Sequence, residues 1–138
     1  MKKSLLKIVL AVLFFTSVTS LGAGSKKVTV DVLYFHATIR CQGCLTIEEY
    51  IKNTVDLHFT KEQKNGTLTF FSLDFLKPEN QHFQDDYKFD GQTLIIRKIV
   101  DGKIVKWKNL DKIWDYSNNY EKFSNYVKKE IIRLLNES

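Results

Sequence analysis

Cys41 and Cys44 are the two cysteines of this 138-residue chain, and the run Arg40-Cys41-Gln42-Gly43-Cys44 sets them three positions apart. A Val/Tyr/Phe-rich strand pattern ends just before them and a helical pattern starts just after. Cys41 is therefore expected at a helix N-terminus, where free backbone N–H groups and the helix dipole favour negative charge. Such a position lowers a thiol's pKa and makes its thiolate a nucleophile near neutral pH. Cys44, one turn further on, is spaced to close a ring with it.

Several chemistries compete for such a pair. A purely structural staple closing about four residues would contribute only about 2 kcal/mol. Zinc needs about four ligands, yet His36, His58 and His82 are spread over three segments and no second cysteine pair exists, so no metal site is expected. Two thiolates alone suit a soft ion or trivalent arsenic. A dithiol/disulfide redox couple beside a strand–helix junction reads as a thioredoxin-like motif. A redox-silent descendant that only binds partners completes the set.

The elements that must position the pair are legible on either side of it. Residues 1–24 read as a secretory signal peptide: Lys2, Lys3 and Lys7 precede the apolar run Ile8–Phe15, and small residues follow. That run is short for a membrane span, so no stable span is expected after cleavage. Loss of residues 1–24 removes three lysines and no acid, and the formal charge falls from +5 to +2. So balanced a chain offers little to nucleic acid, whose affinity rests on clustered Lys and Arg against phosphates. Residues 25–138 suit one domain with one core, expected to be monomeric and periplasmic or otherwise exported, where oxidising conditions favour a disulfide.

Lys27–Phe35 alternates and then runs apolar, as a strand entering the middle of a sheet does. Ile47, Ile51, Val55 and Phe59 recur every four residues and predict an amphipathic helix, although the alternation Val55, Leu57, Phe59 also permits a strand at its far end. Asn65-Gly66 is a turn signal before a second strand at 67–74. Pro78 opens a short helix with Phe83 and Tyr87 on one face. Asp101-Gly102 joins the strands 93–100 and 103–107 as a hairpin. Asn118-x-x-Glu121 resembles a capping box, with Tyr120, Phe123, Val127, Ile131 and Leu134 as the buried stripe of a last helix. Strands separated by helices are expected to pair in parallel and the hairpin antiparallel. The fold class is thus α/β, a mixed four-stranded sheet in the order β-α-β-α-β-β-α with helices on both faces.

That layout and the cysteine pair resemble the thioredoxin fold over nearly all of residues 25–138. More narrowly, Tyr34–Cys44 and Val105–Leu110 with Trp114 resemble small exported thioredoxin-like proteins of arsenic-resistance clusters, often labelled nitrophenyl-compound nitroreductase subunits. The resemblance implies that Cys41 is the exposed attacking thiol and Cys44 the partly covered resolving one, acting on the thiols or disulfide of a protein partner. No flavin or nicotinamide fingerprint is visible, and no cofactor is expected.

Two departures from the family pattern bear on activity. Gln92 stands where thioredoxins place a cis proline before the third strand; a cis bond there would cost several kcal/mol, so a trans 91–92 bond is expected. The family's buried first-strand carboxylate is also missing, with Tyr34 and Phe35 at the candidate positions. His36 is the best local replacement as a proton relay, against a plain reading as a hydrogen-bonded histidine. Arg40 either places positive charge beside Cys41 or points into solvent. Glu48 and Glu49 read first as solvated helix-face residues. Trp107 and Trp114 are expected to close the core where the last strand meets the last helix, rather than to anchor a partner. A non-catalytic thioredoxin-fold subunit and a dithiol binder of trivalent arsenic or another soft metal stand as the alternatives to an oxidoreductase.

Overall fold

A computed structural model describes residues 24–137. The signal peptide expected over 1–24 lies outside the described residues except for Gly24. Strand β1 (Val28–His36) leads into helix α1 (Gln42–His58) and the five-residue α2 (Thr60–Lys64), then β2 (Leu68–Asp74). A 3-10 turn at Pro78–Asn80 precedes α3 (His82–Tyr87), β3 (Thr93–Val100) and β4 (Lys103–Asn109). A second 3-10 turn at Asp111–Ile113 leads to α4 (Tyr120–Asn136).

The sheet order is β2-β1-β3-β4, which puts the apolar β1 in the interior with a neighbour on each side. β1 and β2 are parallel, from Val30 opposite Leu68 to His36 opposite Asp74. The expectation of parallel pairing fails for the next crossover. The chain leaving β2 passes over β1 to its other side, where β3 runs antiparallel to it, Phe35 opposite Thr93 and Val28 opposite Val100. The right-handed crossover rule governs strands that return parallel in one sheet; the α3 connection instead reverses the chain. β3 and β4 form the expected antiparallel hairpin, with a register shift at Lys98/Ile99. Asp101 (φ 50) and Gly102 (φ 81) both take positive φ, the geometry a two-residue primed turn requires.

Strand alternation sends β1 to two cores. Val30, Val32 and Tyr34 pack with Ile47, Ile51 and Val55 of α1 and with Phe123, Val127, Ile131 and Leu134 of α4. Leu33 and Phe35 point the other way, to Phe75, Tyr87, Phe89 and Ile95 beneath α3. The fold is thus the expected α/β thioredoxin-like arrangement with helices on both faces. α1 stays helical to His58, as the four-residue recurrence predicts and against the strand alternative at its far end, with Phe59 capping it through a bond to the Val55 carbonyl and remaining buried. One boundary differs from the sequence reading. The α4 cap is Asn119, not Asn118: its side chain accepts from the Lys122 N–H at 3.0 Å.

Candidate functional site

Cys41 and Cys44 are joined by a disulfide, their Cα atoms 5.1 Å apart, at the start of α1. Cys41 is the N-cap, in extended conformation, and its Sγ accepts from the Cys44 N–H at 3.2 Å; the Cys41 N–H reaches Cys44 Sγ at 3.3 Å. The two sulfurs thus take the places that a hydroxyl and a carboxylate take in a capping box. This environment stabilises sulfur as a hydrogen-bond acceptor, hence as thiolate once the bond is reduced. Cys41 is exposed, whereas Cys44 keeps 1% of its surface.

Below the pair lies a polar cluster built from three elements. The fully buried Tyr34 donates its hydroxyl to the Cys44 carbonyl at 3.0 Å, tying β1 to the first turn of α1. Burial first, then the charge of Glu48, push its pKa up to about 12 against the opposing pull of Arg40. Arg40 does not point into solvent. Its guanidinium turns onto α1 to pair with Glu48, while its Nε is buried without a partner. Burial opposes ionisation of Glu48, but bonds from Ser72 and Arg40, with the charges of Arg40 and His36, outweigh it and hold the carboxyl below its ordinary value. Glu48 is therefore a paired, half-buried anion rather than a solvated one. His36 bonds through Nδ1 to the Ala37 carbonyl at 2.9 Å, and its charge acts on Glu48 and Asp74. Asp74 accepts from Thr38 at 2.7 Å and fixes the loop that leads to Arg40.

β1 does carry a buried carboxylate, Asp31, but alternation points it away from the dithiol. It pairs with Arg97 at 2.8 Å on the α3 face, and Arg97 also donates to the Tyr87 hydroxyl. The ionised carboxyl on the dithiol face comes from α1 instead.

Gln92 lies beside the site. The described residues contain no cis peptide bond, so the 91–92 bond is trans. The Gln92 carbonyl accepts from Trp114 Nε1 at 3.1 Å. A Cβ on Gly43 would stand 3.9 Å from both Cys41 Sγ and Trp114 Cζ3, so the indole edge and the exposed sulfur flank this glycine. The expectation that Trp107 and Trp114 close the core is overturned: they are 40% and 38% exposed. Leu110 and Ile113, both fully buried, already fill the core between β3 and α4. Trp107 packs edge-on against Tyr87, 5.2 Å between centroids, on the far side of the sheet.

No family model and no curated protein matches this sequence. Solved structures with some likeness include a malarial protein, 18% identical with a TM-score of 0.44, over 73% of this chain and 96% of that one. The germline-specific thioredoxin Deadhead of Drosophila melanogaster is 19% identical, TM-score 0.44, over 73% of this chain and 80% of its own. Fasciola hepatica thioredoxin is 17% identical, TM-score 0.39, over 72% and 80%. The chain has a thioredoxin-like fold carrying a Cys-x-x-Cys disulfide. That combination is consistent with thiol–disulfide exchange.

The other residues considered from sequence fall outside this thioredoxin-like site or at its margin. Glu49, His58 and His82 are exposed, and Tyr120 stacks edge-on with Tyr50. Among the described residues no three His, Cys, Asp or Glu side chains gather as metal ligands, and no helix is long and apolar enough to cross a membrane. Sequence reasoning missed the Tyr34–Cys44 bond and the approach of Trp114. The apolar pair Leu110 and Ile113, three apart as one face of a helical turn, was the available signal that Trp114 would be turned outward.

Proposed function

We propose that this protein is an exported thiol–disulfide exchange protein whose Cys41–Cys44 pair trades electrons with a cysteine-bearing protein partner. The observation that carries the reading is the asymmetry of the pair, with Cys41 open at the helix cap and Cys44 sealed one turn behind it. In the reduced form the Cys41 thiolate attacks a partner disulfide; an S–S bond forms to one partner sulfur, and the other leaves as a thiolate. Cys44, giving up its proton, then attacks Cys41 Sγ, restoring the intramolecular disulfide and releasing the second partner thiolate. The partner gains two electrons and this protein loses two. The reverse sequence oxidises a partner dithiol.

The groups set beneath the pair have definite parts in this scheme. Tyr34 holds the Cys44 carbonyl, and so the turn that must deliver Cys44 Sγ. Arg40 and Glu48 supply a fixed ion pair one helical turn from Cys44, on the same side of α1. His36 acts on that pair electrostatically. Export rests on the Lys-rich start and the apolar run that follows, and kinship with the exported arsenic-cluster proteins extends to the fold and the dithiol alone.

The test is equilibration of the pair with glutathione buffers, together with the pH dependence of Cys41 alkylation. A reversible reduction and a Cys41 pKa below that of an ordinary thiol are expected. A bridge that never reduces, or a thiol of ordinary reactivity, refutes the reading. One observation favours a second reading as a non-catalytic docking module: Gln92 occupies the proline position and its carbonyl is already taken by Trp114. On that reading, replacing both cysteines by serine leaves the biological role intact.

A further inference from the structure

Trp114 is the large aromatic side chain that the fold presents at the dithiol. Its chain neighbours are anchored: Leu110 and Ile113 are fully buried, and the short helical turn Asp111–Ile113 delivers the next residue to the surface. The indole is oriented as well as exposed, since Nε1 is committed to the Gln92 carbonyl. Its Cζ3 edge lies by Gly43, whose missing side chain leaves the ring and Cys41 Sγ each 3.9 Å from the place a Cβ would take. From there the ring forms a wall of a shallow groove of about 200 Å3 that runs along residues 91–93 and Asn109 and is lined also by the charged Lys88, Asp90 and Asp111. The segment carrying the dithiol adds apolar surface of its own, with Ile39 88% and Leu45 43% exposed.

The indole leaves 38% of its surface uncovered beside the dithiol. Its position is explained by what must come to Cys41. We propose that Trp114 is a specificity-determining residue that packs against a bulky apolar side chain next to the partner's cysteine, so that the exchange site prefers cysteines flanked by aromatic or large aliphatic residues. The inference rests on the exchange reading above and names the class of partner segment it serves. A partner strand entering the groove brings its sulfur to Cys41 and its flanking residue onto the indole face, where an aromatic contact discriminates by roughly threefold to tenfold.

The experiment compares two oxidised peptide homodimers that differ in one residue beside the cysteine, Phe in one and Ser in the other. Each is reduced by the reduced protein, and rates are normalised to the same peptides' reaction with dithiothreitol. The expected result is a rate ratio of about five to ten in favour of the Phe peptide, falling to less than two in Trp114→Ala and largely restored in Trp114→Phe. Trp107→Ala, which removes the other exposed indole far from the dithiol, should retain the full ratio. If Trp114→Ala does not fold, Trp114→Gln serves in its place. Equal rates for the two peptides with the unmodified protein, or a ratio that survives removal of the indole, overturns the inference while leaving exchange standing. Failure to reduce either peptide removes the exchange reading, and the inference falls with it.

Discussion

On the face of the sheet that bears α1 and α4, the side chains of Val30, Val32 and Leu68 meet two 17-residue helices in a continuous apolar layer. On the opposite face, Leu33, Phe35 and Ile95 meet a six-residue helix and its flanking loops. The thin face is completed by aromatic stacking, Phe35 against Phe89 at 4.7 Å and Phe83 against Tyr87 at 5.9 Å. It also buries an ion pair, Asp31–Arg97. The dithiol sits on the thick face, at the first turn of α1. On the exchange reading proposed above, a nucleophile that meets a partner's sulfur in line gains from a rigid support, and the two-helix layer provides it.

The comparison is sharpened most by cutting one aromatic from each face. Phe123→Ala, at a fully buried position of α4, should cost about 3–5 kcal/mol, because both transfer free energy and a cavity are lost. Phe83→Ala, half exposed over the thin face, should cost about 1–2 kcal/mol. Urea denaturation of the two variants measures the contrast, and equal losses would mean that the faces contribute alike.

The second contrast concerns the ion pair. Asp31→Ala leaves Arg97 with its Tyr87 bond but without its countercharge in a mostly covered site, and about 2–3 kcal/mol of stability should be lost. Asp31→Leu combined with Arg97→Met removes both charges and should recover most of that loss. Recovery marks the pair as tolerated rather than stabilising; a double variant as weak as the single one would show that the thin face depends on it.

The elements of the thick face were the readable ones. The four-residue recurrence of Ile47, Ile51, Val55 and Phe59 is a local pattern, and all four positions are buried. The Asp101-Gly102 turn was equally legible, because its two positive φ angles follow from residue type. The dithiol's position at the helix start was legible for the same reason, being set by neighbours in the chain. What surrounds the dithiol was not. Tyr34 reaches Cys44, Arg40 reaches Glu48 and Trp114 reaches Gln92 only once β1, α1 and β3 have been brought together. The tryptophans were misplaced because side-chain size argues for burial, whereas the space was already allotted to Leu110 and Ile113. The misplaced cap has a smaller cause: Asn118 and Asn119 are chemically alike, and one residue of helix phase decides between them.

The smallest expected effect tests whether the polar cluster under Cys44 is maintained as an ion pair. Glu48 in the folded protein has its carboxyl held below the ordinary value of 4.5, by bonds from Ser72 and Arg40 that overcome its burial. A carboxylate with a depressed folded-state pKa contributes stability that is fully present above its unfolded pKa. The contribution fades as pH drops below about 4.5 and is gone once the folded carboxyl is protonated. Both partners retain solvent contact, so the contribution is about 1 kcal/mol or less. Glu48→Gln should therefore be slightly less stable than the unmodified protein at pH 7, and the difference should close as pH falls through this window. Paired urea titrations at pH 7, 5 and 3 measure it. A gap that stays constant with pH would assign the role of Glu48 to packing, and would leave Arg40 free to serve the Cys41 thiolate instead.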